Sequence, residues 1–73
     1  MNGQKYTVEF DATIRGVIVR VEGYVMADYE GVYKRGVEVY VGGEEVTGLL
    51  SVDDITELEN QTETAAVLEY YGD

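Results

Sequence analysis

Nearly every side chain in this sequence that could do chemistry is a carboxylate or a phenol. The chain holds fifteen Asp and Glu, seven Tyr and five Lys and Arg, with no Cys and no His. Without thiolate or imidazole it lacks the usual ligands for zinc, copper and non-haem iron, so no metal is expected. The commonest general base is missing too, and the one serine, Ser51, has no histidine to activate it. Asp53, Asp54 and Glu57 share a helical turn and could face a hard cation, but the twelve-residue spacing of an EF-hand is absent. A pair of carboxylates can hydrolyse glycosides, yet no aromatic-lined cleft can be argued in 73 residues. Gly42-Gly43 is not followed by Lys-Ser/Thr and reads as a turn, not a phosphate loop. These absences predict a protein that is not an enzyme, needs no cofactor and works by binding.

Charge is the feature that points to a partner. Acids and bases balance in residues 1–36, five of each, so the whole net charge of −10 lies in residues 37–73, which contain no base. A one-sided field of this kind attracts basic surfaces and repels nucleic acid and anionic membranes, so neither is expected to bind directly. The candidate contact residues are Glu44, Glu45, Asp53, Asp54, Glu57 and Glu63. Six acids on a 19-residue helix of roughly 28 Å compare with about eight phosphates on one DNA strand of that length. A solvated face kept for solubility is the bland alternative, although such helices commonly mix lysine with glutamate and residues 52–70 hold no lysine. Tyrosine is the second candidate. Tyr24, Tyr29, Tyr33, Tyr40 and Tyr71 are expected on outer strand faces, loops or the tail, where tyrosine serves as an interface residue or simply as a good strand former.

The elements that must position these groups are legible in the periodicity. Lys5 to Asp11 alternates, with Tyr6, Val8 and Phe10 on one side. Ala12 to Ala27 continues as strand, Val17, Val19, Val21 and Val25 opposing Ile18, Arg20, Glu22, Tyr24 and Met26. A turn is expected over 11–15, and a bulge or bend at Gly16 or Gly23. Residues 28–36 read as a loop or an extended hairpin tip, Val37 to Val41 as a third strand, Gly42-Gly43 as a hairpin turn, and Glu45 to Thr47 as a short fourth strand. Ser51 is a predicted N-cap, with Asp53 and Asp54 in the first turn and Leu50 placed to meet Ile55 as a staple. The predicted helix runs from Val52 to about Tyr70, burying Val52, Ile55, Leu58, Thr62, Ala65, Ala66 and Tyr70, unless the weak helix formers 60–64 break it. The chain then forms a single α+β domain over 1–73, three to four antiparallel strands with one C-terminal helix on one face.

From Val39 to Ile55 (Val-Tyr-Val-Gly-Gly-Glu-Glu-Val-Thr-Gly-Leu-Leu-Ser-Val-Asp-Asp-Ile) the chain resembles small acidic accessory proteins of bacteriophages. The resemblance implies an inhibitor of the anti-CRISPR or anti-restriction type, which covers the DNA-binding surface of a host nuclease complex. Residues 1–6 show no basic segment leading into an apolar run, so a cytoplasmic location is expected. The competing reading is a protein-protein adaptor or a homo-oligomeric structural module, a homodimer among its forms, working through Tyr24, Tyr40 and the tyrosine-rich outer face of the sheet.

Overall fold

A computed structural model describes residues 3–70. Strands β1 (Gln4–Ile14), β2 (Val17–Asp28), β3 (Gly31–Val41) and β4 (Glu44–Glu45) form one antiparallel sheet in the order β1-β2-β3-β4. A short 3-10 turn at Thr47–Leu49 leads into helix α1 (Val52–Tyr70), which packs on one face. This is the expected α+β arrangement, and α1 runs unbroken through residues 60–64.

Three tight reversals hold the meander in register. Ile14 pairs with Val17, so the first turn is Arg15-Gly16 rather than residues 11–15, with both residues at positive φ (49° and 83°). Two positive values define the hairpin turn whose twist matches the strands it joins. Gly42 (60°) and Gly43 (86°) repeat it between β3 and β4.

The second reversal resolves the loop or extended hairpin tip expected at 28–36 as a hairpin with a tight turn, from which β3 starts at Gly31. The Asp28 carboxylate accepts the Glu30 N–H at 2.8 Å, Asp28 pairs with Gly31, and β3 begins at once. A short polar side chain closing its own turn makes a longer loop unnecessary. The irregularity lies opposite Met26 and Ala27, where Lys34 and Val32 pair and Tyr33 is the extra residue; of the two glycines expected to bend or bulge the chain, Gly16 turns it and Gly23 is regularly paired. Beyond β4, the Val46 N–H donates to the Val39 carbonyl (2.7 Å) and Thr47 Oγ1 accepts the Val39 N–H (2.9 Å).

The core lies between sheet and helix in two halves. Leu58 packs with Ala12, Val19, Val21 and Val39, and Ala66 packs with Val8 and Val25. Between them the helix meets the sheet at Gly23, where a Cβ would collide with the fully buried Thr62 side chain. Thr62 disposes of its hydroxyl by donating to the Leu58 carbonyl one turn back, at 2.8 Å. Ser51 Oγ caps α1 by accepting the Asp54 N–H at 3.1 Å. Two members of the expected buried stripe stay outside: Val52 is 80% exposed because α1 starts before it reaches the sheet, and Tyr70 lies at the sheet edge with its ring centroid 4.8 Å from that of Tyr6.

Candidate functional site

Helix α1 leaves one sheet face uncovered, and the register sets that face out in rows. Strand alternation puts Lys5, Thr7, Glu9 and Asp11 there from β1, and Arg20, Glu22, Tyr24 and Met26 from β2. Glu9, Glu22 and Glu38 stand directly opposite one another across three strands. At a strand spacing of about 4.8 Å this is a line of carboxylates, and like charges placed opposite each other oppose pairing. The next row is Asp11, Arg20, Tyr40 and Glu45. Lys5, Met26 and Lys34 form the row toward the far end.

The three arginines divide the acids into two sets. Arg20 reaches Glu9 (2.6 Å) and Asp11 (3.5 Å), and these contacts, with the Glu9 hydrogen bond foremost, raise its pKa further. Arg15 meets Asp54 at 2.8 Å. Arg35 lies on the helix side of β3, not in a loop tip, and meets Glu63 (2.9 Å) and Glu59 (3.9 Å). The Arg15 hydrogen bond, supported by Ser51 and opposed by partial burial, holds the Asp54 carboxyl below the usual carboxylate range. Among the described residues, Glu22, Asp28, Glu30, Glu38, Glu44, Glu45, Asp53, Glu57 and Glu69 form no ion pair.

The six acids picked out from the sequence therefore part company. Glu44, Glu45, Asp53 and Glu57 are exposed, with no base attached. Asp54 and Glu63 are tied to arginines from the first half of the chain, which periodicity along α1 alone could not show. Glu22 and Glu38 were missed as a pair, since their adjacency exists only in the β2–β3 register.

The two site tyrosines sit differently. The Tyr24 ring lies across Gly36, where a Cβ would come within 2.6 Å of its Cε1, and Lys5 Nζ stands 4.8 Å from its centroid. Tyr24 thus fills the space above a glycine and is half-buried by doing so. Tyr29 and Tyr33 are exposed as expected, and Tyr71 lies outside the described residues.

Tyr40 stands within the acidic group. Its hydroxyl donates to Glu38 Oε1 at 2.9 Å; that bond first, then partial burial and the charges of Glu38, Glu22 and Glu45, push its pKa from 10 to about 12. The neutral phenol is the favoured form in the folded state, so its stabilising contribution is complete below about pH 10 and lost as pH rises to about 12. Titration of a Tyr40 ring proton by NMR should give a midpoint near 12, and Glu38→Gln should bring it down toward 10. An unchanged midpoint in the variant would show that Glu38 is not the cause.

A trough of about 790 Å³ crosses this face between Tyr24, Glu22 and Glu38 and continues to Tyr70. The described residues hold no group of three or more His, Cys, Asp or Glu placed for a metal ion, and no helix among them is long and apolar enough to cross a membrane. Fold and surface together define an α+β domain with an open, acid-lined antiparallel sheet. Compared with protein-family models, with curated proteins and with solved structures, the chain matches none.

Proposed function

We propose that this chain is a non-catalytic binding protein that occupies the basic groove of a nucleic-acid-handling complex, as phage anti-CRISPR and anti-restriction inhibitors do, in the host cytoplasm. The observation that carries the reading is the set of carboxylates left without a base. Glu22, Glu38 and Glu45 surround Tyr40 on the open sheet face, and Glu44, Asp53 and Glu57 continue the charge around the end where α1 begins. Within that set Glu22 and Glu38 stand opposite each other at about 4.8 Å, approaching the one charge per roughly 3.4 Å that a DNA strand presents. Opposed glutamates weaken the isolated sheet, a cost that a lysine- and arginine-lined partner would relieve.

The test is capture on the tagged protein from a bacterial lysate at low salt, with and without excess duplex DNA. The reading expects a nucleic-acid enzyme or CRISPR complex, displaced by DNA and by salt. A retained partner indifferent to both overturns it. That outcome would favour the second reading, an adaptor or homodimer meeting through Tyr24, Met26 and the 71% exposed Ile18 on the same sheet face.

A further inference from the structure

Four exposed apolar side chains stand at the end of the molecule where α1 begins, apart from those exposed at the β2–β3 turn (Tyr29, Val32, Tyr33) and along the last turns of α1 (Val67, Leu68, Tyr70). β2 begins and β3 ends there, both strands carrying valines on the helix-bearing face: Val17 is 50% exposed and Val41 38%. Leu49, in the 3-10 turn, is 82% exposed, and Val52, the first residue of α1, is 80% exposed. The Arg15–Asp54 ion pair ties the first turn to the start of the helix, so these residues belong to one pole. Scattered exposed apolar residues need no explanation, whereas a group at one place does.

Among the described residues, the charges around this pole that are left outside ion pairs are all acidic. Glu44 pairs with Val41, Glu45 follows it, and Asp53 and Glu57 stand on the first turns of α1, none of them in an ion pair. The bases nearest this end are already engaged: Arg15 by Asp54 at 2.8 Å, and Arg20, on the row of Glu45, by Glu9 and Asp11. Lys5 and Lys34, the two bases outside ion pairs among the described residues, sit on the row at the opposite end.

We infer that this pole is the anchoring point for an amphipathic basic segment of a partner protein, one whose apolar side chains cover Leu49, Val52, Val17 and Val41 while flanking lysines or arginines meet Glu44, Glu45, Asp53 and Glu57. The inference rests on the reading of the acidic surface above and adds that apolar contact at the pole, beyond charge, selects the partner. A nucleic-acid mimic acting by charge alone would have no use for apolar residues at its rim.

Two synthetic peptides of equal length and charge test it, one of leucine and lysine and one of serine and lysine, titrated against the whole protein and followed by amide NMR. The leucine peptide should bind at least about tenfold more tightly, as expected from burying one or two leucine side chains, with shifts centred on Val17, Val41, Leu49 and Val52. The double substitution Leu49→Ser/Val52→Ser should remove that excess and leave the serine peptide's affinity unchanged. Both positions are exposed, so the fold should survive. Equal affinity for the two peptides overturns the inference and leaves the acidic-surface reading standing, as do shifts confined to the open sheet face. A protein that dimerises through the pole without any peptide also overturns it, because a second copy is then the occupant. Binding of neither peptide sinks both readings.

Discussion

Leu58→Ala should lower the melting temperature by about 15–25 °C, the largest effect of any single truncation in this chain. Leu58 is 1% exposed and packs on Ala12, Val19, Val21 and Val39, so it joins the helix to all three long strands. Truncations of buried leucine cost about 2–5 kcal/mol, and sheet side chains fixed by register cannot collapse into the space. In a domain of this size each kcal/mol moves the midpoint by about 4–8 °C, and total stability amounts to only about 0.05–0.15 kcal/mol per residue. Thermal unfolding followed by circular dichroism measures it. A fall below about 5 °C would mean that α1 contributes little to the stability of the sheet.

Gly23→Ala is the second, and its sign is as informative as its size. In a strand interior, glycine to alanine ordinarily stabilises by about 0.5–1 kcal/mol, through the entropy of the unfolded chain. Here the new methyl would overlap the Thr62 side chain, which is buried and fixed by its bond to the Leu58 carbonyl. Overpacking of that kind costs about 1–3 kcal/mol and would lift α1 from the sheet. Thr62→Ala in the same chain should recover part of the loss, since it removes the two Thr62 atoms nearest the added methyl and leaves the Thr62 Cβ at 3.0 Å. A denaturation double-mutant cycle reads the coupling. Stabilisation by Gly23→Ala alone would show that helix and sheet do not approach at this point.

The two experiments bear on function because the same helix docking decides which acids remain outside. With α1 seated on Gly23, Glu59 and Glu63 face Arg35 and Asp54 faces Arg15, while Asp53 and Glu57 stay in solvent. Lifting the helix would release those carboxylates and alter the charge pattern a partner meets.

Local signals were sufficient for the elements themselves. Alternation identified the strands, Gly42-Gly43 the last hairpin, and Ser51 with its following acids the start of a helix whose ends match Val52–Tyr70. Each depends on residues within a few positions of one another, where backbone geometry and side-chain period act directly. Two local readings fell short for local reasons. Arg15 occupies a positive-φ turn position that its residue type does not advertise, and the Asp28 side chain closes a turn tighter than its glycine- and tyrosine-rich neighbourhood suggests.

Net charge, its confinement to residues 37–73 and the lack of thiol and imidazole were determined by the sequence alone. Tertiary structure decided where the charge goes. Two bases of the first half, Arg15 and Arg35, fold back onto acids of the second, so an asymmetry along the chain becomes a different asymmetry in space. The row of Glu9, Glu22 and Glu38, the acids around Tyr40 and the apolar pole at Leu49 and Val52 follow from strand register and helix docking. Those pairings join residues far apart in the chain, and no periodicity within one element can encode its alignment with another.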